Sequence, residues 1–274
     1  MEKLSSKKPF AKKSFGQNFL IDENYIGKII DELKPMSDDV IIEIGAGRGA
    51  LTGMLLEKAG RVIAIEFDRD LVPGLRERFR FKDNFDLVET DALMVNFAEI
   101  SGTTKNIKLV ANLPYNISTA ILQRLIEQRS FFSELILMFQ REVAERITAG
   151  IGYKDRGFLS VLVEAYFHTE KLFDVPGRAF RPVPKVWSSV VRLIPKESDI
   201  ANEALFRKIL SKGFLQKRKT VFNNFKSEIA DAKELLEACG IDPGRRAETL
   251  TLKEWKTLVE TLDLRESDVL HSVV

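Results

Sequence analysis

One cysteine and two histidines in 274 residues leave little room for several kinds of chemistry. Cys239 alone excludes an internal disulfide framework and a cysteine-rich metal site. With only His168 and His271, metal centres and nucleophilic triads built on imidazole are not expected, and no metal is assigned. No apolar run approaches the length that crosses a bilayer, so no membrane partner is expected. The basic N-terminus lacks the apolar core of a secretion signal, which makes a cytoplasmic location the default. Internal repeats and low-complexity tracts are also missing. What remains is an ordinary soluble composition, 45% hydrophobic and 30% charged, long enough for one large domain and a small one.

The net charge of +2 conceals an uneven distribution. Lys3, Lys7, Lys8, Lys12 and Lys13 stand against Glu2 alone in residues 1–16. Between Ala204 and Ser227 there are seven basic residues, among them Lys217, Arg218 and Lys219, and no acidic one. Patches of this kind suit a phosphate backbone, or else form a solvated helix face.

Short β-branched or aromatic runs at Val40–Ile44, Arg61–Glu66, Phe85–Glu89, Ile107–Ala111 and Leu135–Gln140 read as strands. Helical stretches lie between them, at Leu51–Ala59, Leu71–Phe79 and Thr119–Gln128. Such alternation predicts an α/β fold with a parallel sheet covered on both faces. Phe158–Phe167 and Ser188–Leu193 read as two further strands. A polar stretch, Lys196–Asn202, follows Pro195 and reads as a linker; beyond it Leu205, Ile209, Leu210 and Phe214 recur at helical spacing. The expected division is residues 1–195 as the sheet domain and 203–274 as a small all-helical domain.

Chemistry concentrates where the strands end. Asn112-Leu113-Pro114-Tyr115 follows the fourth strand. The Asn112 side-chain carbonyl and the Leu113 backbone carbonyl could accept both hydrogens of an exocyclic amine, and Tyr115 could stack on a base. Alone, the tetrapeptide reads equally as a strand-ending turn. The first strand runs into Gly45-Ala46-Gly47-Arg48-Gly49, where glycines allow close approach of a ligand to a helix N-terminus. That loop fits an S-adenosylmethionine site through Glu43 and Gly49, a dinucleotide fingerprint through Gly45, Gly47 and Ala50, or a structural turn. Glu66 ends the second strand, where a carboxylate binds ribose hydroxyls, and Asp91 follows the third, as an adenine ligand or a helix cap. Four polar groups at successive strand ends favour a ligand cleft.

These motifs, in this order, resemble the small-subunit (16S-type) rRNA adenine dimethyltransferases. Lys13-Ser14-Phe15-Gly16-Gln17-Asn18-Phe19-Leu20 is similar to that family's N-terminal motif. Gln140–Arg146, Phe180–Ser188, Gln216–Thr220 and Arg246–Leu250 are similar to later family segments, so the likeness spans about Phe15 to Leu262. The resemblance implies a Rossmann-like, S-adenosylmethionine-dependent methyltransferase sheet with a helical C-terminal domain that docks on ribosomal RNA. It implies direct transfer of two methyl groups to each of two adjacent adenosines near the 3′ end of small-subunit rRNA. Asn18 and Leu20 would lie over the methionine part of the cofactor, supported by Gln17. Gly45 and Gly47 would approach it, Glu66 would hold its ribose and Asp91 its adenine. Asn112 would serve both cofactor and target amine, with Tyr115 and Phe180 stacking on opposite faces of the flipped adenine. Arg181 and Lys185 would contact RNA phosphates or only solvate their loop. The implied partner is a pre-30S-like particle, and a monomer is the simplest state for docking on it.

Other readings stay open at this point: an RNA-binding assembly factor with secondary catalysis, a large-subunit rRNA methyltransferase conferring antibiotic resistance, and a nicotinamide-dependent dehydrogenase. The resistance enzymes usually carry Phe where this chain has Tyr115. Trp187 stands where the small-subunit enzymes often have a smaller or acidic residue.

Overall fold

The computed structural model describes residues 17–102, 107–229 and 231–271, with side chains as far as 265. The N-terminal lysines and the first part of the Lys13–Leu20 motif lie outside the described residues.

The chain divides into two compact units, one comprising Met1–Ala144 with Thr169–Pro195 and the other Glu145–His168 with Lys196–Val274. The excursion Glu145–His168 thus groups with the C-terminal residues, which a linear division at 195 does not include.

The first unit opens with a two-residue strand, β1 (Phe19–Leu20), and a helix, α1 (Glu23–Leu33). Asp22 caps α1 by accepting from the Asn24 N–H at 3.0 Å, and Ile26, Ile29, Ile30 and Leu33 form its buried stripe. Lys34 ends it in a left-handed conformation, φ 47°. There follow β2 (Val40–Ile44), β3 (Arg61–Glu66), β4 (Phe85–Glu89), β5 (Ile107–Asn112), β6 (Phe132–Gln140), β7 (Phe167–Val175), β8 (Phe180–Arg181) and β9 (Ser188–Pro195). Seven of these form one sheet in the order β4-β3-β2-β5-β6-β9-β7, while β1 and β8 form a separate antiparallel pair. The pairs from β4 through β6 are parallel, and β9 returns antiparallel to β6. The chain leaves β2 toward β3 and β4, then crosses to β5 on the other side. That reversal between β2 and β5 is where open α/β sheets bind ligands, at the carboxyl ends of their strands.

Six of the seven expected strands stand where the β-branched runs placed them, Ser188–Leu193 among them, since interior strands buried on both faces read as near-continuous apolar segments. Phe158–Phe167 does not. It is a helix over Phe158–Tyr166, and a nine-residue strand begins at Phe167 instead. Its buried Val161, Leu162, Val163 and Ala165 give no amphipathic period, so a buried helix reads as a buried strand. A buried hydrogen bond from Gly157 N–H to Ser160 Oγ, 2.9 Å, starts the helix. Phe167–Val175 escaped notice because only its two ends are buried and His168 to Lys171 form a polar, exposed run at the sheet's edge.

In the second unit, helix Glu203–Gly213 presents Leu205, Phe206, Ile209 and Leu210 to a core that includes Trp255, Phe225, Leu235 and Leu258. Asn202 caps it, accepting from Leu205 N–H at 3.0 Å. A side chain at Gly213 would run into the Trp255 ring, so close packing requires glycine there. Thr220 caps the next helix, Val221–Phe225, and the turn before it carries Lys217, Arg218 and Lys219, all exposed.

Candidate active site

At the carboxyl edge of the sheet, around the β2/β5 reversal, lies a cavity of about 260 Å³. Its wall collects Gly45 and Gly47 from the turn after β2, Glu66 from β3, Asp91 beyond β4 and Asn112 to Tyr115 from β5. Gln17 and Asn18 reach it from the chain's beginning. Strand-end residues scattered through the sequence therefore meet in one place.

Glu66 is the most restrained of them. It is 6% exposed, and its two carboxylate oxygens accept from Gly47 N–H and Asp68 N–H, each at 2.8 Å. Burial raises its pKa above the usual carboxylate value, while the hydrogen bonds from the Asp68 and Gly47 N–H groups lower it. Gly47 can make its bond because φ is 60°, and an added Cβ would press on the Phe19 ring at 3.1 Å. Gly49 does a different job: a Cβ there would meet Phe79 at 2.6 Å, so it lets the following helix pack closely.

Asp91 has both of its expected uses at once. Its Oδ1 accepts from Leu93 N–H at 2.9 Å, capping the short turn Ala92–Met94, and the residue also lines the cavity. Asn112 donates from Nδ2 to the Asn18 carbonyl at 3.0 Å, which orients the amide and leaves Oδ1 as its acceptor end. Leu113 is buried, with its N–H donated to the Met138 carbonyl at 3.3 Å. The Tyr115 hydroxyl is 2.8 Å from Ser188 Oγ, and burial pushes its pKa up.

Two expected residues stand elsewhere. Leu20 and Phe180 face each other in register in the β1/β8 pair; Leu20 is 5% and Phe180 0% exposed. Both belong to the apolar core that includes Ala179 and Val190, and neither lines the cavity. An aromatic side chain directed into a core gains more from full burial than from a half-wet wall. Gln17 lines the cavity and donates to Asp68 Oδ2 at 2.9 Å. Arg181 and Lys185 are exposed, and the Arg181 guanidinium turns back to its own loop, donating to the Arg178 and Phe180 carbonyls.

Phe67 and Asp68 line the cavity and were not singled out from the sequence. Their signal was position alone, immediately after the carboxylate that ends β3. Phe67, with Ile44, Ile65 and Leu93, gives the cavity an apolar side. Among the described residues, no cluster of three or more His, Cys, Asp or Glu side chains could hold a metal ion.

Behind the cavity Glu43 is 2% exposed and accepts from Thr52 Oγ1 at 2.5 Å. Burial pushes its pKa up to about 8, with the neighbouring Glu66 charge adding to the rise. A carboxyl that holds its proton more tightly when folded destabilises the fold as pH climbs from its ordinary 4.5 through about 8. Glu43→Gln keeps an acceptor for Thr52 and removes the titration. Between pH 6 and pH 9 the parent protein should lose about 2–3 kcal/mol more stability than this variant in urea unfolding. Parallel pH profiles would show that Glu43 is ionised when folded.

The family model for ribosomal RNA adenine dimethylase matches residues 10–264. The chain belongs to that family. Ribosomal RNA small subunit methyltransferase A of Chromohalobacter salexigens is 44% identical over 251 residues, covering 89% of this chain and 88% of its own. The protein of the same description from Clostridium perfringens is 44% identical over 258 residues, covering 92% of this chain and 90% of its own. A dimethyladenosine transferase from Plasmodium falciparum superposes with a TM-score of 0.79 at 29% identity, covering 90% of this chain and 98% of that one. The 23S rRNA methyltransferase ErmE follows at 0.68 and 25%, covering 90% of this chain and all of its own. For this dimethylase the fold is thus the methyltransferase α/β sheet. Among the described residues, no helix is long and apolar enough to cross a membrane.

Proposed function

We propose that this dimethylase modifies the exocyclic amines of two adjacent adenosines near the 3′ end of small-subunit rRNA, using S-adenosylmethionine. The observation that carries the reading is the meeting of Gly47, Glu66, Asp91, Asn112 and Tyr115 on one cavity wall. The names of its relatives point to the small subunit, and Tyr115 in place of Phe agrees with them.

The residues present fit the cofactor. Glu66 is already fixed by two N–H groups and keeps lone pairs for ribose hydroxyls. Asp91 can accept from the adenine amine beside the apolar surface of Phe67 and Leu93. Gln17 and Asn18 close the side toward Asn112. When bound, S-adenosylmethionine supplies a methyl group on a positively charged sulfur. The protein's part is to align and polarise the target. Asn112 Oδ1 and the Leu113 carbonyl accept the two amine hydrogens, which concentrates the lone pair on nitrogen, and Tyr115 holds the base by stacking. No covalent enzyme intermediate is needed, and the same pocket readmits the monomethylated amine. The acceptor is rRNA within a pre-30S-like particle, engaged by a monomer in the cytoplasm, with no metal required.

The test is methyl transfer to undermethylated small subunits, with modified bases mapped, alongside melting shifts with S-adenosylmethionine and with NAD. Dimethylation of adjacent adenosines and a shift from the methyl donor alone are expected. A shift with NAD and no transfer would overturn the proposal.

A further inference from the structure

The loop between β8 and β9 carries an exposed aromatic that the catalytic proposal does not use. Trp187 is 50% exposed, and Val183 and Val186 beside it are exposed as well. Large apolar side chains exposed side by side mark a contact surface more often than one exposed alone.

The loop's backbone is fixed at both ends. The Trp187 carbonyl accepts from Arg141 N–H at 2.9 Å. The next residue, Ser188, is fully buried, pairs in register with Gln140 and bonds the Tyr115 hydroxyl at 2.8 Å. At the other end Pro184 lies so close to Gly177 that a Cβ there would sit 2.6 Å from the Pro184 carbonyl oxygen. Trp187 is therefore an anchored aromatic at the carboxyl edge of the sheet, one residue from the partner of Tyr115.

Charge selects the occupant. From Val175 to Lys196 the chain has no acidic residue, and Arg178, Arg181 and Lys185 are exposed. The nearby Asp174 is engaged by Ser189 and Lys171. An exposed indole in a cationic segment, one residue from the Ser188 that bonds the Tyr115 hydroxyl, suits a single-stranded nucleotide: phosphate for the cations and a π-face for the ring.

We infer that Trp187 is a stacking platform for an unpaired RNA base next to the adenosine held at Tyr115, and so a substrate-positioning residue of this enzyme. The inference rests on the proposed reaction for its place on the substrate. Trp187→Ala should raise KM for undermethylated small subunits about tenfold, with kcat and the melting shift by S-adenosylmethionine close to the parent's. Trp187→Phe should recover most of the loss. A second readout needs no catalysis. The chain has two tryptophans, and Trp255 is 0% exposed, so quenching by a contacting base reports on Trp187. A short single-stranded RNA should quench the emission of the parent and not that of Trp187→Phe, while heparin, a polyanion without bases, should quench neither.

An unchanged KM in Trp187→Ala, a Phe variant as poor as Ala, or equal quenching by heparin would each overturn the inference. If the parent fails to methylate small subunits, the proposed reaction falls, and the quenching comparison still decides whether Trp187 meets a base.

Discussion

Asn112→Ala is expected to lower dimethylation about a thousandfold, while binding to the undermethylated particle stays nearly intact. The reason is that the side chain has two ends with separate duties. Nδ2 is tied to the Asn18 carbonyl, and this tether leaves Oδ1 to accept an amine hydrogen. Alanine removes the acceptor from a place where charge shifts during transfer, and such groups contribute most to rate when they are preorganised. It also frees Asn18 on the cofactor's side of the cavity, so the melting shift with S-adenosylmethionine should shrink without vanishing. Single-turnover transfer and filter binding on the same particle separate the two quantities. Equal loss of both would contradict the role given to Asn112, because the RNA-docking surface would then depend on it.

Replacing Lys217, Arg218 and Lys219 together with Glu should produce the complementary result. All three are exposed on the turn between two helices, and none has an acidic partner among the described residues. The wider basic stretch is less available, since Lys212 is paired with Glu228 and Lys226 lies over the Phe222 ring. Six units of charge change at one turn should weaken particle binding by two orders of magnitude or more at low salt. If the three contact phosphates, the slope of log affinity against log salt should flatten by about two to three. The cofactor's melting shift should not move, because no residue of that turn lines the cavity. Dimethylation retained at the parent's rate would rule out this turn as a docking surface.

The two variants probe parts that were unequally legible in the sequence. The cavity's polar groups could be read because each follows an apolar run, and runs of that type become neighbouring parallel strands whose ends share one edge. Glu66, Asp91 and Asn112 needed no more than that rule. Phe180 shows where it stops: an aromatic before Arg-Pro reads alike whether it walls a pocket or fills a core, and only the pairing of Leu20 with Phe180 decides. A two-residue ladder between segments so far apart leaves no local pattern. Phe158–Tyr166 fails for the opposite reason, a pattern too uniformly apolar to carry a period. Trp187 was visible only as a departure from the resembled family's usual residue until its exposure and its neighbour's bond to Tyr115 gave it a place.

The pairing of Phe19 and Leu20 with Arg181 and Phe180 also orders events during synthesis. The segment carrying Gln17 to Leu20 leaves a translating ribosome before the sheet does; its partner Asp68 follows, but Asn112 is made later, and Phe180 and Arg181 later still, near the end of the sheet. A nascent chain stopped after β5 would hold the glycine turn, Glu66, Asp91 and Asn112, with β1 still lacking its β8 partner. This dimethylase should therefore acquire its methyl donor late, once almost all of its sheet has been translated.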